Sequence, residues 1–373
     1  MNALAVSRRG GGLPAWATAL ALAIVWAASA TGAAHAADLD PARPVARIAL
    51  GSCIRQNRPQ PIWQAVARFQ PDVLLLLGDN IYGDTDDMAE LRARYDALAA
   101  NPGYASLRRD VPIIAVWDDH DYGVNDGGRE YPRRRESQQV FCDFFGVPVD
   151  SPLRKQEGIY RAVTCGPSGR RVQFICLDTR YHRSPLKALP REQRVKGKGY
   201  YVPDPDPAAT LLGAEQWAWL AKALTEPAEI RIVLSSIQVA AMEHGFETWA
   251  NFPRERGRLL ETIRTSGATG VILVSGDRHA AEISRIPAGA AALAYPLYDF
   301  TASSFNQVIG RSQPEEPNRF RVGNRYHGTN FGTIEIDWKE PATGQPPLAA
   351  VTLAIRDEQG AVVESATIDI PGT

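Results

Sequence analysis

Four short stretches of this 373-residue chain place metal-ligating side chains directly after an apolar run. They read "IALGSCIR" (48–55), "LLLLGDNIYGD" (74–84), "IIAVWDDHDYG" (113–123) and "VILVSGDRHAAE" (271–282). Together they supply Cys53, Asp79, Asn80, Tyr82, Asp84, Asp118, Asp119, His120, Asp121, Asp277 and His279. Each stretch alone has an ordinary explanation. An Asp after a strand caps a helix or forms a turn, and a lone Cys there is a small buried hydrophobe. Four such exits in one chain change the argument. In α/β sheets ligands bind beyond the carboxyl ends of the strands, so the four clusters are expected to meet on one rim. Carboxylates crowded there without cations repel one another and lose hydration at high cost. Bound metal ions are the expected counter-charge.

The elements that must position these residues can be read from hydrophobic period. "VARIAL", "DVLLLL", "VPIIAVW", "EIRIVLSS" and "GVILVSGD" are continuous apolar runs, as strands buried on both faces require. Between them, helical stripes are expected at 62–69 (Ile62, Ala65, Val66, Phe69), 86–99 (Leu91, Tyr95, Leu98), 133–145, 213–226 (Trp217, Leu220, Ala221, Leu224) and 254–267. "YRAVTCGPSGRRVQFICLD" reads as two strands about a turn. The last third alternates apolar and polar at period two in "NFGTIEIDW", "LAAVTLAIRD" and "AVVESATIDI", the pattern of half-exposed antiparallel strands. The fold class is therefore α/β, two packed sheets flanked by helices, with additional antiparallel C-terminal strands. Two stretches, 183–210 and 303–329, lack periodic signal, and loops of that length are usually functional covers.

The first 36 residues stand apart. Arg8 and Arg9, an apolar run from about Ala15 to Ala30 and "AHA" before Ala37 form the pattern of an export signal, of twin-arginine type, with cleavage expected after Ala36. An uncleaved anchor is the alternative, although the run is shorter than the ~20 residues of a membrane span. Residues 37–373 read as a single domain, with no stable membrane span after processing. The formal charge of the whole chain is −1. Removing Arg8 and Arg9 leaves 39 cations against 42 carboxylates, and a balance so near zero offers no nucleic-acid-binding surface. Among the four cysteines, Cys142 reads as a buried thiol. Cys165 and Cys176 flank a turn unsymmetrically, which leaves a bridge between them open.

In order, "GSC", "GDNIYGD", "WDDHD" and "SGDRHAAE" resemble the PhoD-like alkaline phosphatases, a branch of the calcineurin-like metallophosphoesterases. "LDTRYHRSPL", "LGAEQWAWL", "SSIQ", "EHGFETWANFP" and "TASSFN" are similar to that branch too, and the resemblance spans about 46–338. It implies a four-layer α/β/β/α sandwich, metallophosphoesterase-like, and an exported, periplasmic or secreted phosphoesterase holding iron (Fe3+) and calcium. By resemblance Cys53 is a thiolate ligand, Asp79 the bridging aspartate and Tyr82 a phenolate ligand, with Asn80 beside them. Asp119 takes the place of an asparagine that meets both metal and phosphate. His120 is the proton donor, Asp277 and His279 close the ligand set, and Gln238 stands where other branches carry a further histidine. Oxygen donors in place of imidazoles favour calcium, while Cys53, Tyr82 and His279 keep a softer pocket for iron.

The implied reaction is hydrolysis of a phosphate ester by metal-activated hydroxide, with Arg55 and Arg278 as candidates to grip phosphate oxygens. The substrate is a small-molecule, lipid or polymer phosphate ester. Alternatives are a phosphodiesterase or phospholipase D-like hydrolase, or a silent binding protein stabilised by metal. His244, and more weakly His182 and His327, lie on loops that could reach the rim.

Overall fold

The computed structural model describes residues 39–309, 315–339 and 349–370. The expected export signal, residues 1–36, lies outside the described residues, as do 310–314 of the expected cover. In chain order the elements are β1 (Arg47–Gly51), α1 (Ile62–Phe69), β2 (Val73–Leu77), α2 (Met88–Ala99), α3 (Pro102–Asp110), β3 (Ile113–Val116), the one-turn α4 (Asp119–Tyr122) and α5 (Arg134–Phe144). There follow β4 (Arg161–Cys165), β5 (Val172–Cys176), α6 (Gly213–Ala223), β6 (Ile230–Leu234), α7 (Pro253–Ser266) and β7 (Val271–Ser275). The chain ends with β8 (Ala281–Ile286), β9 (Leu297–Ala302), β10 (Arg321–Tyr326), β11 (Asn330–Trp338), β12 (Ala349–Asp357) and β13 (Val362–Ile370).

These strands make two sheets, ordered β13-β12-β11-β1-β2-β3 and β10-β8-β9-β7-β6-β5-β4. β1, β2 and β3 run parallel, as do β5, β6, β7 and β9, so the exits of β1, β2, β3 and β7 can share a rim. β11 to β13 extend the first sheet antiparallel, as the period-two pattern predicts. β2 reads VLLLL and every residue is buried, because it lies between β1 and β3 with both faces covered.

Alternation along the second sheet sorts its side chains into two layers. Phe174, Ile232, Leu234, Ile272 and Val274 join the core shared with the first sheet. Ile175, Val233 and Leu273 point the other way, onto Trp217 and Leu220 of α6 and Leu259 and Leu260 of α7. α1, α2 and α3 cover the first sheet through Val66, Leu91 and Leu107. The result is the four-layer α/β/β/α sandwich. The helix ends follow local chemistry: Asp87 caps α2 by accepting from Ala89 N and Glu90 N, and α7 begins on Pro253 and stops at Gly267 in the left-handed region.

Three differences from the sequence reading have simple causes. α3 is short, and Asn101 starts it by capping Gly103 N and Tyr104 N, a signal without a clear apolar stripe. β10 occupies part of 303–329, the stretch expected to be only a cover; "RVGNRY" is a largely unburied strand at the end of its sheet, and it carries little hydrophobic pattern. Cys165 pairs with Val172 and Cys176 with Arg161, at opposite ends of the β4–β5 hairpin. No bridge can form, and all four cysteines are free thiols. Among the described residues no helix is long and apolar enough to cross a membrane.

The two sheets meet tightly where Gly332 of β11 faces the Phe300 ring of β9; a Cβ at 332 would fall 2.7 Å from that ring. Phe300 is fully buried. Phe300→Ala is expected to destabilise the fold by about 3–5 kcal/mol, measured by denaturant titration.

Candidate metal centre

Two of the four strand exits, those of β2 and β3, are tied together before any ligand is considered. Asp121, on α4, is the tie. Its carboxylate accepts from Asp118 N at 2.7 Å, Asp79 N at 3.2 Å, Asn80 Nδ2 at 2.5 Å and Tyr95 Oη at 3.2 Å. One buried side chain thereby holds the β2 exit against the β3 exit. Gly78 permits the approach: its φ is +95°, and a Cβ would fall 2.8 Å from Asp118 N. Beyond it the backbone is strained at the chemistry. Among the described residues eight non-glycine residues have positive φ, and six of them are Cys53, Asp79, Asp84, Asp126, Asp277 and His279. Such strain persists only where the surroundings over-determine it, and it clusters at functional sites.

Two groups of potential ligands result, and they share Asp79. Cys53, Asp79 and His279 form one, and Asp79, Asp119 and His120 the other; within each group the ligand atoms all lie within 4.8 Å of one another. Tyr82 joins the first group, its hydroxyl 2.8 Å from His279 Nε2 and 3.3 Å from Asp79 Oδ2. The Cys53 thiol lies 3.3 Å from the same Asp79 oxygen and 3.1 Å from Ser303 Oγ. Ser303, from the "TASSFN" block, also accepts from His279 N at 2.8 Å and so sets two ligands at once.

Electrostatics agree with this arrangement. Burial, and then the charge of Asp79, hold the Cys53 thiol well up. Burial, Cys53 and Asp79 do the same to the Tyr82 phenol. Burial and the neighbouring carboxylates Asp119, Asp118, Asp121 and Asp277 raise Asp79. Burial, then the Arg278 charge, push His279 down to about 3, so its imidazole is neutral and free to ligate. Burial pulls His120 down, but the Asp119 charge and a hydrogen bond to Asp84 raise it to about 9. His120 donates from Nδ1 to Asp84 at 2.6 Å, which leaves Nε2 as the working atom.

A test of fit with metal lies in the buried atoms that lack partners. Asp79 Oδ1 and Asn80 Oδ1 are both buried with no hydrogen-bond donor, whereas buried polar atoms are almost always satisfied. Asn80 spends its amide group on Val116 O at 2.9 Å and on Asp121, which fixes its carbonyl oxygen in place. Cys53, Tyr82 and His279 are donors of the type that transition metals take, while Asp79, Asn80 and Asp119 offer the oxygens hard cations prefer. The residues present fit a pair of cations.

The site opens on a cavity of about 280 Å³ whose lining includes Asp119, His120, Asp277, Arg278, Tyr201 and Phe246. Arg278 stacks on Phe246 at 4.1 Å and pairs with Glu316 at 2.5 Å, so it reaches the cavity but is already held. Arg55 is outside that lining, lying over the Tyr82 ring at 4.0 Å and donating to Gln307 at 3.0 Å.

Gln238 departs from its expected role. Its amide donates to Glu282 at 2.7 Å and Thr301 at 2.9 Å, and its oxygen faces His244 Nε2 at 3.1 Å. None of its hydrogen bonds reaches the ligand groups. The spare donor and acceptor of "SSIQ" and "EHGF" are thus spent on each other. His182 and His327 are likewise absent from both groups.

Sequence reasoning assigned no role to Arg180 and Glu247, although both sit in the "LDTRYHRSPL" and "EHGFETWANFP" blocks. Arg180 is fully buried; it donates from Nε to Asp118 at 2.6 Å and pairs with Glu247 at 2.7 Å. Arg183, also fully buried, pairs with Glu247 at 2.9 Å. Two cations thus balance two carboxylates behind the ligand set.

A sandwich with this strand order and a shared-carboxylate rim is metallophosphoesterase-like, and the comparisons narrow it. The PhoD-like phosphatase model matches residues 48–316. The chain belongs to the PhoD-like phosphatase family. It is 23% identical over 267 residues to alkaline phosphatase D of Bacillus subtilis (strain 168), covering 60% of this chain and 44% of that relative's length. The solved structure of PhoD superposes with a TM-score of 0.64 at 19% identity, covering 89% of this chain and 74% of that one. GAP50, the anchor in the inner membrane complex of Plasmodium, follows at 0.55 and 12%, covering 89% and 90%. At these identities the two structures speak for the fold alone.

Glu247→Gln is expected to cost about 3–5 kcal/mol in denaturant titration, because Arg180 and Arg183 would stay buried with half their counter-charge gone.

Proposed function

We propose that this protein is a metal-dependent phosphoric ester hydrolase, acting after export on a phosphate ester. The observation that carries the reading is the pair of ligand groups sharing Asp79, placed on a cavity beside His120 and Arg278. Family membership supports the same class of activity. Cys53, Tyr82, His279 and Asp79 would hold iron, and Asp79, Asn80, Asp119 and Asp277 would hold calcium. When bound, such cations supply Lewis-acid activation of water and neutralise phosphate charge.

The chain's own groups do the rest. His120 holds a proton at Nε2 and delivers it to the leaving alkoxide, steadied by Asp84 at Nδ1. Arg278 presents its guanidinium to phosphate oxygens at the cavity wall, held there by Glu316 and Phe246. Arg55 lies with its guanidinium over the Tyr82 ring at 4.0 Å and braces that ring in place. Export rests on the Arg8–Arg9, apolar and "AHA" pattern of residues 1–36, and residues 37–373 act as one catalytic domain.

The test is elemental analysis of protein recovered after export, together with turnover of chromogenic phosphate mono- and diesters. Iron and calcium near one each, and loss of turnover on chelation, are expected. Tyr82→Phe should lower iron content and remove visible absorption arising from a phenolate–iron pair. His120→Ala should keep the metals and lose about 10²–10⁴ in kcat. Fully loaded protein that is inert on both esters would overturn the reading.

A further inference from the structure

The loop 187–202 is an arm with two different ends. At its base it folds back as a ribbon: Leu189 N donates to Tyr200 O at 2.8 Å, Val202 N to Lys187 O at 2.9 Å, and Ala188 bridges Tyr201. The returning strand is pinned to the body, since Tyr201 N donates to Gly245 O at 2.7 Å and Tyr201 Oη to Asp126 Oδ2 at 2.5 Å. Tyr200 and Tyr201 are then walls of the cavity that contains Asp119 and His120. The outer end, residues 190–198, is exposed throughout.

The arm is strongly basic. Lys187, Arg191, Arg194, Lys196 and Lys198 stand against a single carboxylate, Glu192, in a chain whose overall formal charge is −1. Several exposed arginines elsewhere pair with carboxylates, as Arg92 does with Asp143, Arg109 with Asp110, Arg133 with Glu136 and Arg264 with Glu261; others, such as Arg68 and Arg254, stand singly, whereas the arm gathers five cations in twelve residues. The arm's cations have no carboxylate partner among the described residues; Arg194 donates only to Leu189 O and lies over the Tyr200 ring at 4.3 Å. Lys198 is two residues from Tyr200, so its Cα lies within about 7 Å of the Cα of that cavity-wall residue. Unpaired like charges held together cost free energy unless an anion visits them.

We propose that this arm is an anion subsite for the substrate's far end: the ester preferred here carries at least one further phosphate beyond the scissile one. The assignment deepens the phosphoesterase reading and rests on it. The scissile phosphate occupies the cavity at Asp119, His120 and Arg278, and the arm draws in and orients the next anionic group.

The experiment uses two chromogenic esters that differ by one phosphate: thymidine 5′-(4-nitrophenyl phosphate) and the same compound phosphorylated at the 3′ position. In the full-length metal-loaded protein at low salt, kcat/KM for the two-phosphate ester should exceed that for the other by about 10-fold, and 0.5 M NaCl should erase the difference. In the triple variant R191Q/K196Q/K198Q that ratio should collapse toward one. An unchanged ratio in the variant would overturn the subsite while leaving the phosphoesterase reading intact. Should neither diester be hydrolysed, the phosphoesterase reading is decided by the mono- and diester assay above, and calorimetric binding of tripolyphosphate still decides the arm. Weaker binding by the variant supports the anion subsite, and equal binding overturns it.

Discussion

Everything at the rim depends on a crowd of buried carboxylates, and on how unevenly the fold supplies them with donors. Asp118 has Arg180. Asp121 has main-chain, amide and phenol donors. Asp119 accepts from the main chain of His120 at 2.9 Å and Asp126 at 2.6 Å, and Asp277 lies 3.5 Å from Arg278. Asp79 is left with a thiol and a phenol on one oxygen and nothing on the other. Leaving Asp79 short of positive charge makes its pocket a receptor for cations, and each proton on Cys53 or Tyr82 becomes something a cation can replace.

That receptor is costly to build, which explains its backbone. Four proposed ligands, Cys53, Asp79, Asp277 and His279, sit in the left-handed region without being glycine. Each such residue costs of order 1–3 kcal/mol. The cost is tolerable only because the flanking strands are immovable: β2 is buried along its whole length, and the neighbouring glycines allow close approach. Rigid parallel strands that end abruptly at kinked residues aim side chains from four separate segments at one point. A helix or a hairpin could not converge so many exits.

How much of this was legible in the sequence follows from the range of each interaction. Most strands and helices declare themselves by local period, and the four ligand clusters declare themselves because each follows a strand directly. What stayed hidden is set by long-range pairing. Arg180 and Glu247 are 67 residues apart and look like any charged residues until the fold brings them together in a fully buried network. β10 has an almost unburied pattern, and α3 begins at a cap rather than at a stripe. Gln238 was expected at the metal because of where it falls in the chain. Its neighbours Glu282 and Thr301, which claim its amide, come from β8 and β9, two strands that local period did not suggest.

The loops and the strand exits are mechanically continuous. Tyr201 on the arm donates to Asp126, and the main-chain N–H of Asp126 in turn donates to Asp119. Asp126 is itself held in the left-handed region, and its carbonyl accepts from Arg183 of the buried charge network. A displacement of the arm therefore reaches a proposed ligand through two hydrogen bonds, and reaches the Arg183–Glu247 pair through one more. Because burial raises the Asp126 carboxyl and the Tyr201 hydroxyl satisfies it, the arm is not a decoration on a finished site. The Asp126 carboxylate accepts from Tyr201 and from Asn125 while its main-chain N–H holds Asp119, so the cavity wall and the ligand set are joined through one residue.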